Sequence, residues 1–330
     1  MRSKIAAVAI GLGVFMIVAA GLVRFYAYPI LATVPPDYEG TTLLEAKGAQ
    51  VLNFKTYQAE THDLDISSYT VAYEEPKAPD GVVSWVNSTT VNREDGTTFQ
   101  QTRERAPFDA VSGEAADCDG CESWTEVKEG DDLTQEPTVR EGQVYKFPFG
   151  TEKKDYGVWD GTVGKSVPAT FEGTEKIDGL EVYKFVQRIE PTMVETREVP
   201  GSMFGSSEPG VQAEMWYGMT RTFFVEPETG SPVDRVEERL QELRFEGQSV
   251  PVFNATVQYT DQQVDDLVNG TKDQKGAKEN GMLLGGLHLL FPLVLVLVGV
   301  ALLAGGLFAG TKARARRHAE ADEKKTLVNA

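Results

Sequence analysis

Histidine and cysteine are the scarcest chemistry-bearing residues: three histidines and two cysteines in 330 residues. His288 falls in a charge-free apolar run and His318 in a basic C-terminal stretch, which leaves His62, beside Asp63, for the sequence between. A Ser-His-Asp triad, a Cys-His pair or a multi-histidine metal site would all have to be built on that one ring. Two thiols cannot complete a four-ligand zinc site by themselves. A glycine-rich phosphate loop, a GxSxG elbow and an HExxH pair are missing as well. Catalytic chemistry is thereby reduced to paired carboxylates. The expectation is a protein that is not an enzyme and has no catalytic, cofactor-binding or metal site.

Positive charge is the next shortage. Lys and Arg number 32 against 50 Asp and Glu, a net charge of −18. The few basic residues gather at the ends: Arg2, Lys4 and Arg24 near the start, and a net +3 over residues 309–330. With residues 282–308 uncharged, −24 is left on residues 25–281. A surface this acidic repels phosphate backbones, so no nucleic-acid partner is expected.

What the chain does have is two long apolar runs. Residues 282–308 hold 27 residues without a charge, which reach about 40 Å as a helix, enough to cross a hydrocarbon core of about 30 Å. Lys312, Arg314, Arg316 and Arg317 follow directly, which places the C-terminus in the cytoplasm by the positive-inside rule. Residues 5–23 form a second run behind Arg2 and Lys4. Val18-Ala19-Ala20 resembles a signal-peptide cleavage site, but Phe25, Tyr26 and Tyr28 continue the apolar character as an interfacial belt would, which favours a retained helix. The layout is therefore a cytoplasmic N-terminus (1–4), a transmembrane helix (5–23), an extracytoplasmic domain (24–281), a second transmembrane helix (282–308) and a basic cytoplasmic tail (309–330), in a two-pass plasma-membrane protein. Gly306-x-x-x-Gly310 and the small residues of the first run would let the spans pack on each other or on another copy. His288 and Pro292 interrupt the second run near its start; a polar ring there marks a candidate functional position.

The intervening domain reads as mainly β, in the α+β class. Residues 67–73 and 82–91 are rich in β-branched and aromatic residues, and 96–103 is expected to pair with the latter through a turn at 92–95. Strands are also expected over 167–171, 180–189, 211–219, 221–225, 233–245 and 252–259. Turn composition marks residues 173–179 and the Glu226-Pro-Glu-Thr-Gly230 reversal. Thr260 is placed to cap a short helix that puts Val264, Leu267 and Val268 on one face. Residues 269–281 read as a polar linker into the membrane.

Residues 112–136 are acidic and without periodicity, an expected exposed loop. They contain Cys118 and Cys121 as Cys-Asp-Gly-Cys. Outside the cytoplasm a local disulfide is the default. A redox-active pair fits poorly, because Asp117, Asp119 and Glu122 raise the thiol pKa. The carboxylates Asp117, Asp119, Glu122, Asp131 and Asp132 invite a calcium reading, but their spacing fails the EF-hand template.

The residues YKFPFG (145–150), Trp159-Asp160, FEGTEKIDGLEVYKFVQ (171–187) and FFVEPETGSPVD (223–234), with the two-helix layout, resemble the actinobacterial PorA-like membrane proteins of the porin PorA family. The resemblance names no catalytic residue and implies a pore-forming envelope protein. An outer-membrane barrel crosses lipid with strands, whereas apolar helices do so here. In topology alone, the layout is also similar to class B scavenger receptors, which implies a β-rich domain with an apolar tunnel. The leading expectation is a non-enzymatic envelope protein that binds or passes an apolar ligand, a lipid, with membrane lipids as partners. The alternatives are a pore-forming protein and a carboxylate-based extracytoplasmic enzyme.

Overall fold

The computed structural model describes residues 2–129 and 132–328. In chain order, helix α1 (Arg2–Leu22) passes through a π turn (Val23–Ala27) into α2 (Tyr28–Leu31). Twelve strands follow: β1 (Glu39–Asn53), β2 (Gln58–Tyr73), β3 (Val82–Arg93), β4 (Thr98–Asp109), β5 (Trp124–Glu129), β6 (Asp132–Pro137), β7 (Tyr156–Asp160), β8 (Lys165–Ile177), β9 (Leu180–Val199), β10 (Val211–Glu226), β11 (Ser231–Phe245) and β12 (Gln248–Tyr259). Helices α3 (Asp261–Asn269) and α4 (Ala277–Gly285), a second π turn (Gly286–Leu290) and α5 (Phe291–Val328) complete the chain. Two compact units result: the terminal segments up to Ala32 and from Met282, and a β domain, Thr33–Gly281.

The β domain is one antiparallel sheet in the order β6-β5-β4-β3-β2-β1-β12-β11-β10-β9-β8-β7. The chain runs out along one arm, β1 to β6, and returns along the other, β7 to β12. The arms meet where Leu44 of β1 faces Tyr259 of β12 and Val51 faces Phe253. Away from that seam, single bridges stitch them again: Phe108 of β4 to Ala115, Glu114 to Gln143, and Gln143 to Val158 of β7. Backbone pairing thus runs from β4 back to β7 and covers those edges, while β6 remains an edge strand.

Strand alternation decides which face is buried. On β10, Val211, Ala213, Met215, Tyr217 and Met219 are buried, while Gln212 and Glu214 are exposed. The seam packs Leu44, Ala46, Ala49, Leu64, Ile66 and Val257 on the same inner face. The outer face carries exposed charges such as Lys47, Asp63, Asp65 and Glu238.

Residues 143–151 form a strap between the arms. Tyr145 packs against Trp85 and Phe108 of the first arm, and Phe147 is enclosed by Tyr156, Phe185 and Phe223 of the second. Each enclosed ring contributes about 1.5–3 kcal/mol of burial. The strap's backbone is tied on both sides: Phe149 N–H donates to Val111 O (3.0 Å), Phe147 N–H to Gly230 O (2.9 Å) and Thr151 N–H to Pro227 O (2.7 Å).

Several expectations are revised. Residues 112–136 are an irregular loop only in part, since 124–129 and 132–137 pair as the β5–β6 hairpin and β5 joins β4 at Glu104 and Arg105. The turn expected over 173–179 shrinks to Asp178-Gly179, with Gly173 inside β8 at a register shift. The linker 269–281 is folded: Gly270 bridges Lys275, and Ala277 packs with Val182, Val233 and Val268. The helix expected over 5–23 reaches Leu31, and the one expected over 282–308 starts at Ala277 and continues through the basic tail to Val328. The helix foreseen after Thr260 is present, its cap accepting from Gln263 N–H at 3.2 Å. The β domain is mainly β, with helix confined among the described residues to α3, the start of α4 and a 3-10 turn at Gly201–Phe204.

The strap sets a sharp steric demand at Gly230. Its φ is +68°, and an added Cβ would overlap the Phe147 and Pro148 carbonyl oxygens. Gly230→Ala is expected to destabilise the β domain by about 2–4 kcal/mol. Gly164→Ala, at φ +63° with open space around it, should cost about 1 kcal/mol. Chemical unfolding of the full chain in detergent compares the two; equal effects would refute the strap's role.

Candidate functional site

Strand register gathers a network of charged side chains on the inner face. Arg221 of β10 lies opposite Glu237 of β11 and Gln187 of β9. Arg235 and Arg239 flank Glu237 at alternate positions of β11, facing Phe223 and Met219. Arg221 donates through Nε to Glu237 Oε1 (2.7 Å) and through Nη1 to Gln187 Oε1 (2.9 Å), and its Nη2 lies 3.4 Å from Asp160 Oδ2. Tyr217 Oη donates to the same Asp160 oxygen at 3.1 Å. Gln187 is wholly enclosed and donates to the Val158 and Val167 carbonyls, so its amide orientation is dictated. Burial alone would push the Glu237 carboxyl up, but Arg221, Arg235 and Arg239 outweigh it and hold it at about 2. Burial, with Asp160 beside it, pushes the Tyr217 hydroxyl above its ordinary value. Arg221 bridges the two carboxylates.

A second network anchors the disulfide-bearing turn. Cys118 and Cys121 are bonded, with Cα atoms 5.3 Å apart, and Cys121 N–H donates to Cys118 O at 3.0 Å. The next residue, Glu122, accepts from Arg105 Nη1 (2.9 Å), while Arg105 Nη2 pairs with the buried Glu75. Arg140, also buried, donates to Arg105 O, Glu104 and the Ser123 hydroxyl and so fixes the β5 end. Of the carboxylates considered for calcium, Glu122 is therefore committed to Arg105, and Asp117 and Asp119 are exposed. Asp131 and the side chain of Asp132 lie outside the described residues. No cluster of three metal-ligating side chains occurs among the described residues. His62 sits between Glu60 (3.1 Å) and Glu94 (3.2 Å), and those hydrogen bonds raise its pKa.

In the helical unit, α1 and α5 meet through glycines. A Cβ on Gly13 would come within 2.7 Å of Gly299 O, and one on Gly306 within 2.8 Å of Ile10 Cγ1. Tyr28 and His288 stack with ring centroids 4.6 Å apart. Of the basic residues expected to orient the chain in a membrane, Lys4, Lys312 and Arg314 are exposed. Arg2, Arg316 and Arg317 lie on the backbone of α1 and α5, their side chains outside those described.

Sequence reasoning overlooked the Arg221–Glu237 network because charges occupy both faces of β11; the Arg235-x-Glu237-x-Arg239 alternation was the available signal. It also overlooked Lys146, whose neighbours Tyr145 and Phe147 fill the two aromatic clusters. The Lys146 ammonium lies over the Phe149 ring (3.9 Å) and 3.5 Å from Val111 O. Burial drives its pKa down to about 7, partly opposed by Asp109. The folded value lies below the unfolded value of about 10.4, so the unfolded chain holds the extra proton between the two. Stability should therefore rise with pH across roughly pH 7–10 and be flat and lowest below it. Lys146→Met is expected to raise the melting temperature by about 3 °C or more at pH 6, with the gain shrinking toward pH 10. Thermal scans at several pH values test this, and a pH-independent difference would refute it.

Comparison with known proteins places these features in a family. Over 288 residues, 69% of this chain and 74% of the relative, it is 25% identical to a Porin PorA of Corynebacterium amycolatum. A Porin PorA of Corynebacterium resistens is 40% identical over 55 residues, 17% of this chain and 13% of that protein. Among solved structures, a Bacteroides fragilis protein with a YmcC-like fold is similar at 10% identity, covering 68% of this chain and 96% of its own, with a TM-score of 0.19 that is too low to carry an argument. The Porin PorA family profile matches residues 5–308, and the chain belongs to that family.

Proposed function

We propose that this is a non-enzymatic, porin-type envelope protein. In this reading the α1 and α5 segments cross the plasma membrane, both termini are cytoplasmic, the β domain lies outside, and several copies assemble to pass polar solutes. One observation carries it besides the family membership: apolar side chains are exposed on the helices and charged ones on the sheet. Val8, Phe15 and Val18 on α1 and Leu293, Leu297 and Leu307 on α5 face outward, as lipid requires. Two helices, near Lys4–Leu31 and Ala277–Lys312, are long and apolar enough to span. The outer positions of the sheet carry Lys47, Asp63 and Glu238, which a lipid-facing barrel wall excludes. Two spans cannot enclose a channel alone, so passage calls for assembly of copies.

This reverses the order in which sequence ranked lipid handling and pore formation. A lipid tunnel calls for an aliphatic lining, whereas the inner face of β9–β11 carries Gln187, Arg221, Arg239 and Glu237.

Purified full-length protein in planar bilayers should give discrete conductance steps whose frequency rises faster than linearly with protein concentration. Silent bilayers, together with native mass spectra showing a monomer carrying lipid, would overturn the reading in favour of a lipid handler. For topology, Gln100→Cys in a background lacking Cys118 and Cys121 should react with an impermeant maleimide on intact cells. Labelling only after permeabilisation would place the domain in the cytoplasm.

A further inference from the structure

The inner face of β10–β11 holds more positive charge than its carboxylates neutralise. Arg221, Arg235 and Arg239 stand against Asp160 and Glu237, an excess of one positive charge in a domain that is otherwise strongly acidic. Arg221 is saturated by Glu237, Gln187 and Asp160. Arg235 Nε lies 3.1 Å from Glu237 Oε1 but out of hydrogen-bonding line. Arg239 is different. Its guanidinium lies 5.4 Å from the ring centroids of both Tyr217 and Phe253. Its Nε is buried without an acceptor, and among the described residues no carboxylate pairs with it. The residue as a whole is only half-buried, so its outer nitrogens are not sealed off.

A guanidinium framed by two rings, with Glu237 acting on it only through space, keeps an unmet buried donor, which costs about 1–3 kcal/mol, more when charged. Arg221 is met by three protein groups and Arg235 lies against Glu237, whereas Arg239 has no carboxylate within ion-pair distance among the described residues, and that contrast singles it out. We infer that Arg239, framed by Tyr217 and Phe253, is the binding site for a small organic monocarboxylate. The planar fork of the guanidinium matches a carboxylate in two parallel hydrogen bonds. The excess of a single charge matches a monoanion rather than a dianionic phosphate. The apolar body of such a ligand would meet Met219 and Ala255, which face Arg239 across the two neighbouring ladders. The site does not depend on whether copies assemble into a pore.

Calorimetric titration of the full-length protein in detergent with propionate, at constant ionic strength set with chloride, tests this. Saturable binding is expected, weakened about tenfold or more in Arg239→Gln, as loss of a charge-assisted pair implies. Arg188→Gln, which removes an exposed arginine paired with Glu172, should bind as the unmodified protein does. If Arg239→Gln fails to fold by near-ultraviolet circular dichroism, Arg239→Lys keeps the charge without the fork and should still weaken binding several-fold. Absence of saturable binding, binding unchanged in the folded Arg239 variant, or tighter binding of inorganic phosphate than of propionate would each overturn the assignment.

Discussion

The interdigitation of the 143–151 strap with two aromatic clusters is the contact on which the β domain depends. Adjacent arms of a long antiparallel meander have no reason to meet at their far ends, because each strand is satisfied by its sequence neighbours. Tyr145 and Phe147 supply that reason: one ring enters the Trp85–Phe108 cluster of the first arm and the other the Phe185–Phe223 cluster of the second. Once those rings are seated, Gln143 is positioned to pair on both sides, and Gly230 must lack a side chain for the strap to pass. Lys146 is buried as a by-product, since alternate residues of an extended segment point away from the rings on either side of it.

Charge is organised by the same geometry. The net negative charge of the domain resides on outward-facing positions, where solvent screens it. Buried charges are instead built around arginines: Arg221 joins Asp160 to Glu237 on the inner face, Arg105 joins Glu75 to Glu122 under the disulfide-bearing turn, and Arg140 links Glu104 to the β5 backbone. Arginine suits each place because its fork reaches several acceptors at once. Such networks are weak sources of net stability but specify register, since a one-residue slip would leave every member unpaired.

How far the sequence is legible follows from how local each signal is. The 82–103 hairpin, the Glu226–Gly230 reversal and the Thr260-capped helix are written in contiguous residues, and all three form. Both membrane-length helices are legible for the same reason, though their ends run past the apolar residues because nothing in Phe25–Tyr28 or Ala277–Asn280 breaks a helix. The β5–β6 hairpin has little apolar alternation of its own; it is held by pairing with β4 and by Arg140, sixteen residues past Trp124. The strap's aromatics lie within the YKFPFG segment, but its two partners lie about forty to eighty residues away in opposite directions. The Arg235-Glu237-Arg239 alternation was obscured by Asp234, Glu238 and Glu242 on the other face of the strand.

The seam between β1 and β12 also orders events in time. The arms are chains of near-neighbour hairpins that can form as the polypeptide emerges, but the first strand waits for the last before its second edge is covered. Pairing across so long a sequence separation is slow, and the exposed edge of β1 invites misassociation meanwhile. Because α4 and the second apolar helix follow β12 closely, the seam is completed only when nearly the whole chain up to that helix has been made. A chain truncated before β12 would be left with an open-edged half sheet.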